Sequence, residues 1–526
     1  MPFGAMCRRL YAILSAMLDP AEPQYLVPEW HDMRLTLIMS LFCNIRCNFC
    51  FQDSFEKSVC LSDEVLFQKL SSLYPNTSSL LLQGGEVTAL SNGLEFVRHL
   101  GTTFPDVALR LTTNGITLSD AWLRELIRDE VSLGISLNSS NPEVYQRILA
   151  RGSAQVVWTK AYDNVFRLVK AKRILGSTSY VEISMVITEE TVDDLEDFVR
   201  LGCALGVAVR LGYDSRSSAF SPKLERSFKR SLFLQRACAG RSTVGIVNAP
   251  PAGRAYAAEF WANKDNQAEY IEYAAAFERS LREYRFPLGY SLDPAGSPDV
   301  SSLLLEAGHA VAKRAVERTR SIATGPRFTT IEGRRVCAEP WHSMVFMAQG
   351  NVLFCCQTPG YVLGDINGDD TVEEMWRGQK ARDFRRRMLQ GDYRYCDPNC
   401  PTNLGVRTGL VRGSELYQRG EFSQARKIFR DCESLIDGDA GLLYQWAYCE
   451  QAAGDVRRSI PLYCRALESG FAEFWVRYHR AQALYAIGSR DEALADIERA
   501  HQLDPGNQGC ANLLSEWTKL GAQIAT

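Results

Sequence analysis

LTLIMSLFCNIRCNFC, residues 35–50, runs from an apolar stretch of β-forming side chains straight into three cysteines spaced C-x3-C-x2-C. The stretch Leu35–Leu41 reads as a strand, which puts Cys43, Cys47 and Cys50 on the loop at its carboxyl end. Spacing that close lets one segment wrap a corner of an iron–sulfur cube. An electron-transfer cluster takes four cysteines, and a closed zinc site takes four ligands. Three thiolates leave one metal position open, where a substrate or cofactor can bind. A zinc knuckle with a distant fourth ligand, or three free thiols, is the competing reading of the spacing alone.

Outward from this strand to about residue 214, short apolar runs alternate with amphipathic helical stretches, the pattern of βα units around a parallel sheet. Six strands are expected, at 35–41, 79–83, 107–113, 131–137, 180–187 and 207–213, with helices such as 62–73, 120–128, 142–150 and 193–205 between them. The fold class that follows is α/β, a partial (β/α)6 TIM-like barrel whose chemistry gathers at the carboxyl ends of its strands. Gly84-Gly85-Glu86 closes the second strand and so projects from the same face as the cysteine loop.

With these two motifs on one face, and Phe49 before the last cysteine, residues 35–214 resemble the radical S-adenosylmethionine (radical SAM) superfamily. The resemblance implies that Cys43, Cys47 and Cys50 hold a [4Fe-4S] cluster whose open iron chelates the amino and carboxylate groups of S-adenosylmethionine. It also implies that Gly84, Gly85 and Glu86 receive the amino group, since glycine lets backbone approach closely and a carboxylate or carbonyl accepts from an amine. The family's motif usually continues with proline, where this chain has Val87. Thr113-Asn114-Gly115, after the third strand, and Ser136-Leu137-Asn138, in the fourth, lie where the family places ribose and carboxylate contacts, with Asn114 and Ser136 the candidate residues. Arg147 on the next helix can clamp the carboxylate as a bidentate donor. Each also has a plain reading, as a turn residue before Gly115, a polar group of the barrel interior and a solvated helix charge.

A second cysteine group reads Cys337-Ala-Glu-Pro-Trp, a hairpin-like SMVFMAQGNVLF at 343–354, Cys355-Cys356, a Leu-Gly-Asp-Ile stretch at 363–366, a helix with Trp376, and Cys396-Asp-Pro-Asn-Cys400. It resembles the SPASM/twitch region of some radical SAM enzymes, as a small α+β auxiliary-cluster domain. That resemblance implies Cys337, Cys355, Cys396 and Cys400 as ligands of one auxiliary [4Fe-4S] cluster. Four thiolates also suit tetrahedral zinc. Cys356 is left over, as a buried apolar residue, an alternate ligand or a catalytic thiol that returns a hydrogen atom to a substrate radical.

The end of the chain repeats at 34 residues: Gly420, Gly454 and Gly488; Gly413, Ala447 and Ala481; Ala425, Ser459 and Ala493; Cys432, Ala466 and Ala500. Small residues let two antiparallel helices pack closely, with glycine in the turn. The pattern resembles the tetratricopeptide (TPR) repeat, three copies over about 406–507 and a capping helix over 508–524. An all-α TPR domain implies a concave groove for a peptide or partner, or else self-association or a stabilising appendage. The expected domains are an N-terminal extension (1–34), the barrel (35–225), a helical linker or insertion (226–336), the auxiliary-cluster domain (337–403) and the repeats (404–526). Within 226–336, helical stretches are expected at 255–285 and 301–319, with no metal or phosphate motif.

Composition narrows the function. A chain of 526 residues exceeds one ordinary core, and 59 Lys+Arg against 62 Asp+Glu, a net charge of -3, offers no global basic field to nucleic acid. Sixteen cysteines are too few for a disulfide scaffold, and six histidines argue against zinc-hydrolase chemistry. Arg8-Arg9 and the apolar stretch 10–18 imitate an export signal, but Asp19-Pro20 follows directly and no small-x-small cleavage pattern appears. No apolar run approaches the roughly 20 residues of a membrane span, so a cytoplasmic protein with reduced thiols is expected.

The family resemblance implies reductive cleavage of S-adenosylmethionine to methionine and a 5'-deoxyadenosyl radical, which abstracts hydrogen from an unactivated C–H bond. An auxiliary cluster able to take an electron from the product radical favours oxidation or bond formation. The leading substrate is a peptide or protein recognised through the repeats, with a flavodoxin or ferredoxin as electron donor and neither nucleic acid nor membrane as partner. The alternatives are a small molecule such as a sugar or amino-acid derivative, and a non-catalytic iron–sulfur scaffold. Gly-Gly-Glu and the three-cysteine site argue against the scaffold.

Overall fold

The computed structural model describes residues 23–524 except 53, 150–153, 214–220, 248–259, 262, 305–327, 332–333, 391, 398–399, 401–409, 411 and 437–438. The export-like stretch and most of the expected helix at 301–319 lie outside the described residues.

All six expected strands form, as β1 (Met33–Ile38), β2 (Thr77–Gln83), β3 (Ala108–Thr113), β4 (Ser132–Ile135), β5 (Val181–Ile187) and β6 (Ala208–Tyr213). They pair in chain order, each neighbour parallel. In β1 the period of two is plain: Met33, Leu35 and Leu37 are buried on one face, while Arg34, Thr36 and Ile38 are half-buried on the other. Helix Asp120–Arg128 forms where expected, and the Ser119 side chain caps it by accepting from the Trp122 N–H. The expected helix at 62–73 is reduced to a π-helical segment, Val65–Lys69, followed by a turn. β4 stops short of the expected Leu137 because Asn138 takes a φ of 60° and folds its side-chain amide onto the Ser136 carbonyl at 3.1 Å.

Two features of the sheet differ from expectation. β7 (Val244–Val247) adds parallel to β6 inside the region read as a helical linker, a run of four residues that carries too little period to declare itself. A two-stranded ribbon, β8 (Phe328–Ile331) and β9 (Arg334–Cys337), delivers Cys337. The expected hairpin forms as β10 (Ser343–Phe346) and β11 (Asn351–Leu353), turning at Gly350 with φ 106°. β10 then pairs parallel with β1, and β12 (Gly364–Asp365) follows β11. The sheet therefore runs β12-β11-β10-β1-β2-β3-β4-β5-β6-β7, and the auxiliary region is built onto the barrel's first strand.

The repeats form helices Phe422–Asp431, Ala440–Ala452, Val456–Glu468, Glu473–Ala486 and Arg490–Leu503, with Gln508–Ile524 as the cap. Gly420, Gly454 and Gly488 turn between helices at φ 76°, 89° and 89°, a conformation that favours glycine. Ala425, Ala447, Ala466, Ala481, Ala493 and Ala500 are fully buried at the helix contacts. These helices close over hydrophobic clusters separate from that of the barrel. Among the described residues no helix is long and apolar enough to cross a membrane.

Candidate cofactor site and auxiliary cysteine group

The Gly-Gly-Glu turn shapes the cysteine loop. Gly84 and Gly85 sit at φ 93° and 49°, and a Cβ on Gly85 would collide with the Phe42 carbonyl. The Glu86 N–H donates to that same carbonyl at 2.7 Å. The glycines thus admit the chain that carries Cys43, a reason for their presence that the sequence alone did not supply.

Glu86 is 1% exposed. Its Oε1 accepts from the Thr88 N–H (3.1 Å), the Thr88 hydroxyl (2.6 Å) and the Thr113 hydroxyl (2.6 Å), and its Oε2 from the Asn114 N–H (2.7 Å). Burial pushes its pKa up, and these four donors oppose the rise. Among the described residues no lysine or arginine pairs with it. The carboxylate fixes the end of β3, and from there Asn114 Nδ2 reaches Asn44 Oδ1 at 2.7 Å and Cys43 Sγ at 3.8 Å. Cys43, Glu86 and Asn114, singled out separately in the sequence, form one network.

Helix Pro142–Ile148 backs the other side of the loop. The Asn48 N–H donates to the Ile148 carbonyl at 2.9 Å, and Cys47 forms a β-bridge with Leu149. Ser136 is half-buried at the end of β4, its N–H on the Thr113 carbonyl at 2.8 Å. Arg147 is exposed and donates to the Glu190 carbonyl at 3.0 Å. Its side chain is engaged there, at the end of β5. Asn44 and Thr88 were missed by sequence reasoning, and Thr113, read with Asn114 and Gly115 as a strand-end cofactor candidate, instead holds Glu86, because these roles depend on where three strand ends meet.

Cys43 and Cys50 both act electrostatically on Cys47, and Cys50 acts on Cys43. Burial, then the neighbouring Cys43 and Cys50, pushes the Cys47 thiol up to about 12, and burial likewise raises Cys43. Thiols that oppose one another's ionisation in this way need cationic metal to ionise together, so the chemistry of the donor set fits an iron–sulfur cluster.

In the auxiliary region Cys337 ends β9, Cys355 and Cys356 follow β11, and the Asp397 N–H donates to the Gln357 carbonyl at 2.8 Å, drawing the Cys396–Cys400 loop onto the turn after Cys356. Burial, with Cys400 and Cys396 adding, pushes Cys337 up to about 12, and burial with Cys400 takes Cys396 to about 12. Cys355 and Cys356 share a hydrogen bond that raises the first and lowers the second to about 7. Glu339 acts electrostatically on Cys337, Cys355 and Cys356 and pairs with Arg34 of β1 at 3.0 Å, joining this group to the barrel. Among the described residues no three His, Cys, Asp or Glu side chains close tightly enough to share one metal ion.

Residues 37–202 match the family model of the radical SAM superfamily. The barrel is a radical SAM domain. Residues 337–401 match the SPASM iron–sulfur cluster-binding domain. A radical SAM domain takes a [4Fe-4S] cluster with S-adenosylmethionine, and a SPASM domain binds auxiliary iron–sulfur clusters. Mycofactocin maturase MftC of Mycolicibacterium smegmatis is 26% identical over 185 residues, 34% of this chain and 43% of MftC. The chain therefore spans less than half the length of that relative. Streptococcus suis SuiB, solved bound to precursor peptide SuiA, superposes with a TM-score of 0.43 at 11% identity, covering 73% of this chain and 72% of SuiB. For the TPR region, the first TPR of Spaghetti bound to an HSP90 peptide superposes at 17% identity over 22% of this chain and 93% of that one, with a TM-score of 0.21.

Proposed function

We propose that the chain is a radical SAM maturase that abstracts hydrogen from a peptide or protein. In this reading Cys43, Cys47 and Cys50 hold the cluster that binds S-adenosylmethionine. Cys337, Cys355, Cys396 and Cys400 hold one auxiliary [4Fe-4S] cluster that assists oxidation or bond formation. The observation that carries it is the set of three loop thiols beside Glu86, with no protein cation pairing the carboxylate among the described residues.

When bound, cluster and S-adenosylmethionine supply the 5'-deoxyadenosyl radical. The chain supplies orientation. Asn114 and Asn44 hold the Cys43 end of the loop, and the Gly84 and Gly85 carbonyls are offered to the amino group, since the Glu86 carboxylate is engaged by its own neighbours. Ser136 and Arg147 remain proposed contacts, Arg147 after release from Glu190. Cys356, next to Cys355 and left out of the proposed ligand set, is in its S–H form the proposed hydrogen donor to a substrate radical.

The peptide half of the proposal draws support from the 34-residue repeats, which add a recognition surface beyond the needs of a small metabolite. A flavodoxin or ferredoxin donor and a cytoplasmic setting complete it, with the domains divided at 35, 226, 337 and 404. Deleting 404–526 tests the assignment, because the repeats have their own hydrophobic clusters. Peptide turnover is expected to vanish while 5'-deoxyadenosine formation persists; undiminished peptide turnover by the truncated chain contradicts it. Replacing Cys337 and Cys355 by alanine is expected to stop product while 5'-deoxyadenosine still forms, and surviving product removes the auxiliary role.

A further inference from the structure

Tyr145 lies on helix Pro142–Ile148 between buried Val144 and Ile148, and is itself 1% exposed. Its hydroxyl is buried with no hydrogen-bond partner. Leaving such a group unpaired is unfavourable, and a donor escapes that cost by finding an acceptor in the cofactor.

Its surroundings are those of the cofactor site. The electrostatic neighbours that act on the phenol are Cys47, then Cys43, then Glu86. The same helix is tied to the cysteine loop by the Asn48 to Ile148 hydrogen bond and the Cys47 to Leu149 bridge. Glu86 already accepts from Thr88, Thr113 and Asn114. The loop sulfurs, already electrostatic neighbours of the phenol, are therefore the acceptors this site leaves to it. Tyr162, another buried hydroxyl without a partner, differs in setting: it stacks on Trp158 and Tyr290, and its electrostatic neighbours are Tyr284 and Tyr290.

We propose that the Tyr145 hydroxyl donates a hydrogen bond to a sulfur at the Cys47 corner of the cluster bound by Cys43, Cys47 and Cys50, making Tyr145 a positioning residue that tunes this cluster's potential. Reduction adds negative charge to the cluster, so a donor at its sulfur stabilises the reduced state more than the oxidised one. The inference rests on the reading of the three loop cysteines as cluster ligands.

The test is a redox titration of the anaerobically purified full-length chain, followed by the EPR signal that responds to S-adenosylmethionine, with iron and sulfide measured per chain. Tyr145→Phe is expected to keep the wild-type iron content and to lower the reduced-to-oxidised ratio at fixed potential by about three- to tenfold. Placing 3,5-difluorotyrosine at 145, a stronger donor of the same shape, is expected to move the ratio the other way. Equal ratios in all three proteins overturn the proposal. So does iron loss in Tyr145→Phe with no shift in the fluorinated protein. A wild-type chain without iron at the loop defeats the underlying reading instead, and the iron analysis separates the two failures.

Discussion

Two buried carboxylates, Glu86 in the radical SAM domain and Glu450 in the repeats, are held by different chemistry. Glu450 is fully buried and accepts from Arg430 at 2.6 and 2.7 Å and from the Trp446 indole at 2.9 Å. Asp496 is gripped in the same way by Arg477 and Arg480. Each of these charges is matched by a charge in the protein, as a packing element requires. Glu86 is held by hydroxyls and backbone N–H alone, beside three thiols. The repeats close their electrostatics internally, whereas the barrel leaves negative potential for a cationic, amine-bearing ligand to complete.

The largest effect that bears on this contrast is expected from Cys47→Ala. It should take the first cluster's iron with it and drop 5'-deoxyadenosine formation to background, while circular dichroism of the repeats stays unchanged. Retained iron and activity would remove Cys47 from the ligand set.

Glycine offers a second comparison. Gly85→Ala forces a side chain against the Phe42 carbonyl at φ 49°, and is expected to cost about 3 kcal/mol or more along with cluster loading. Gly454→Ala at φ 89° meets nothing within 4 Å, and should cost about 1 kcal/mol, a drop of a few degrees in Tm with cofactor binding intact. Similar losses at both positions in thermal melts would show that the barrel turn has no special role.

The carboxylates themselves can be exchanged for amides. Glu450→Gln takes from Arg430 its buried charge partner, leaving the pair with Asp455 at 2.9 Å, and should cost about 1 kcal/mol, discounted because Arg430 reaches solvent, with no change in S-adenosylmethionine affinity. Glu86→Gln sets an amide N–H against donors already pointing at it, and should weaken S-adenosylmethionine binding about tenfold by calorimetry. If Glu450→Gln rather than Glu86→Gln weakens that binding, the contrast is reversed.

Much of this was legible in the sequence because the informative residues are contiguous or periodic. Three cysteines within eight positions, Gly-Gly-Glu at a strand end and small residues recurring at 34 each speak from short windows. Asn114 was legible as a position but not as the residue that touches Cys43. Tyr145 carried no signal, since an apolar helix face commonly buries a tyrosine and the missing partner becomes visible when three segments converge. Arg147 illustrates the opposite case, a plausible clamp whose side chain lies on the Glu190 carbonyl. The pairing of β10 with β1 joins residues about 300 positions apart, which no local pattern specifies.

The central claim concerns the open metal position held by Cys43, Cys47 and Cys50. Anaerobically purified protein, reduced and then mixed with S-adenosylmethionine, tests it by EPR. The predicted result is a [4Fe-4S] signal that shifts when the compound is added and disappears in Cys47→Ala. Zinc at the loop, or a cluster signal unmoved by S-adenosylmethionine, would contradict it.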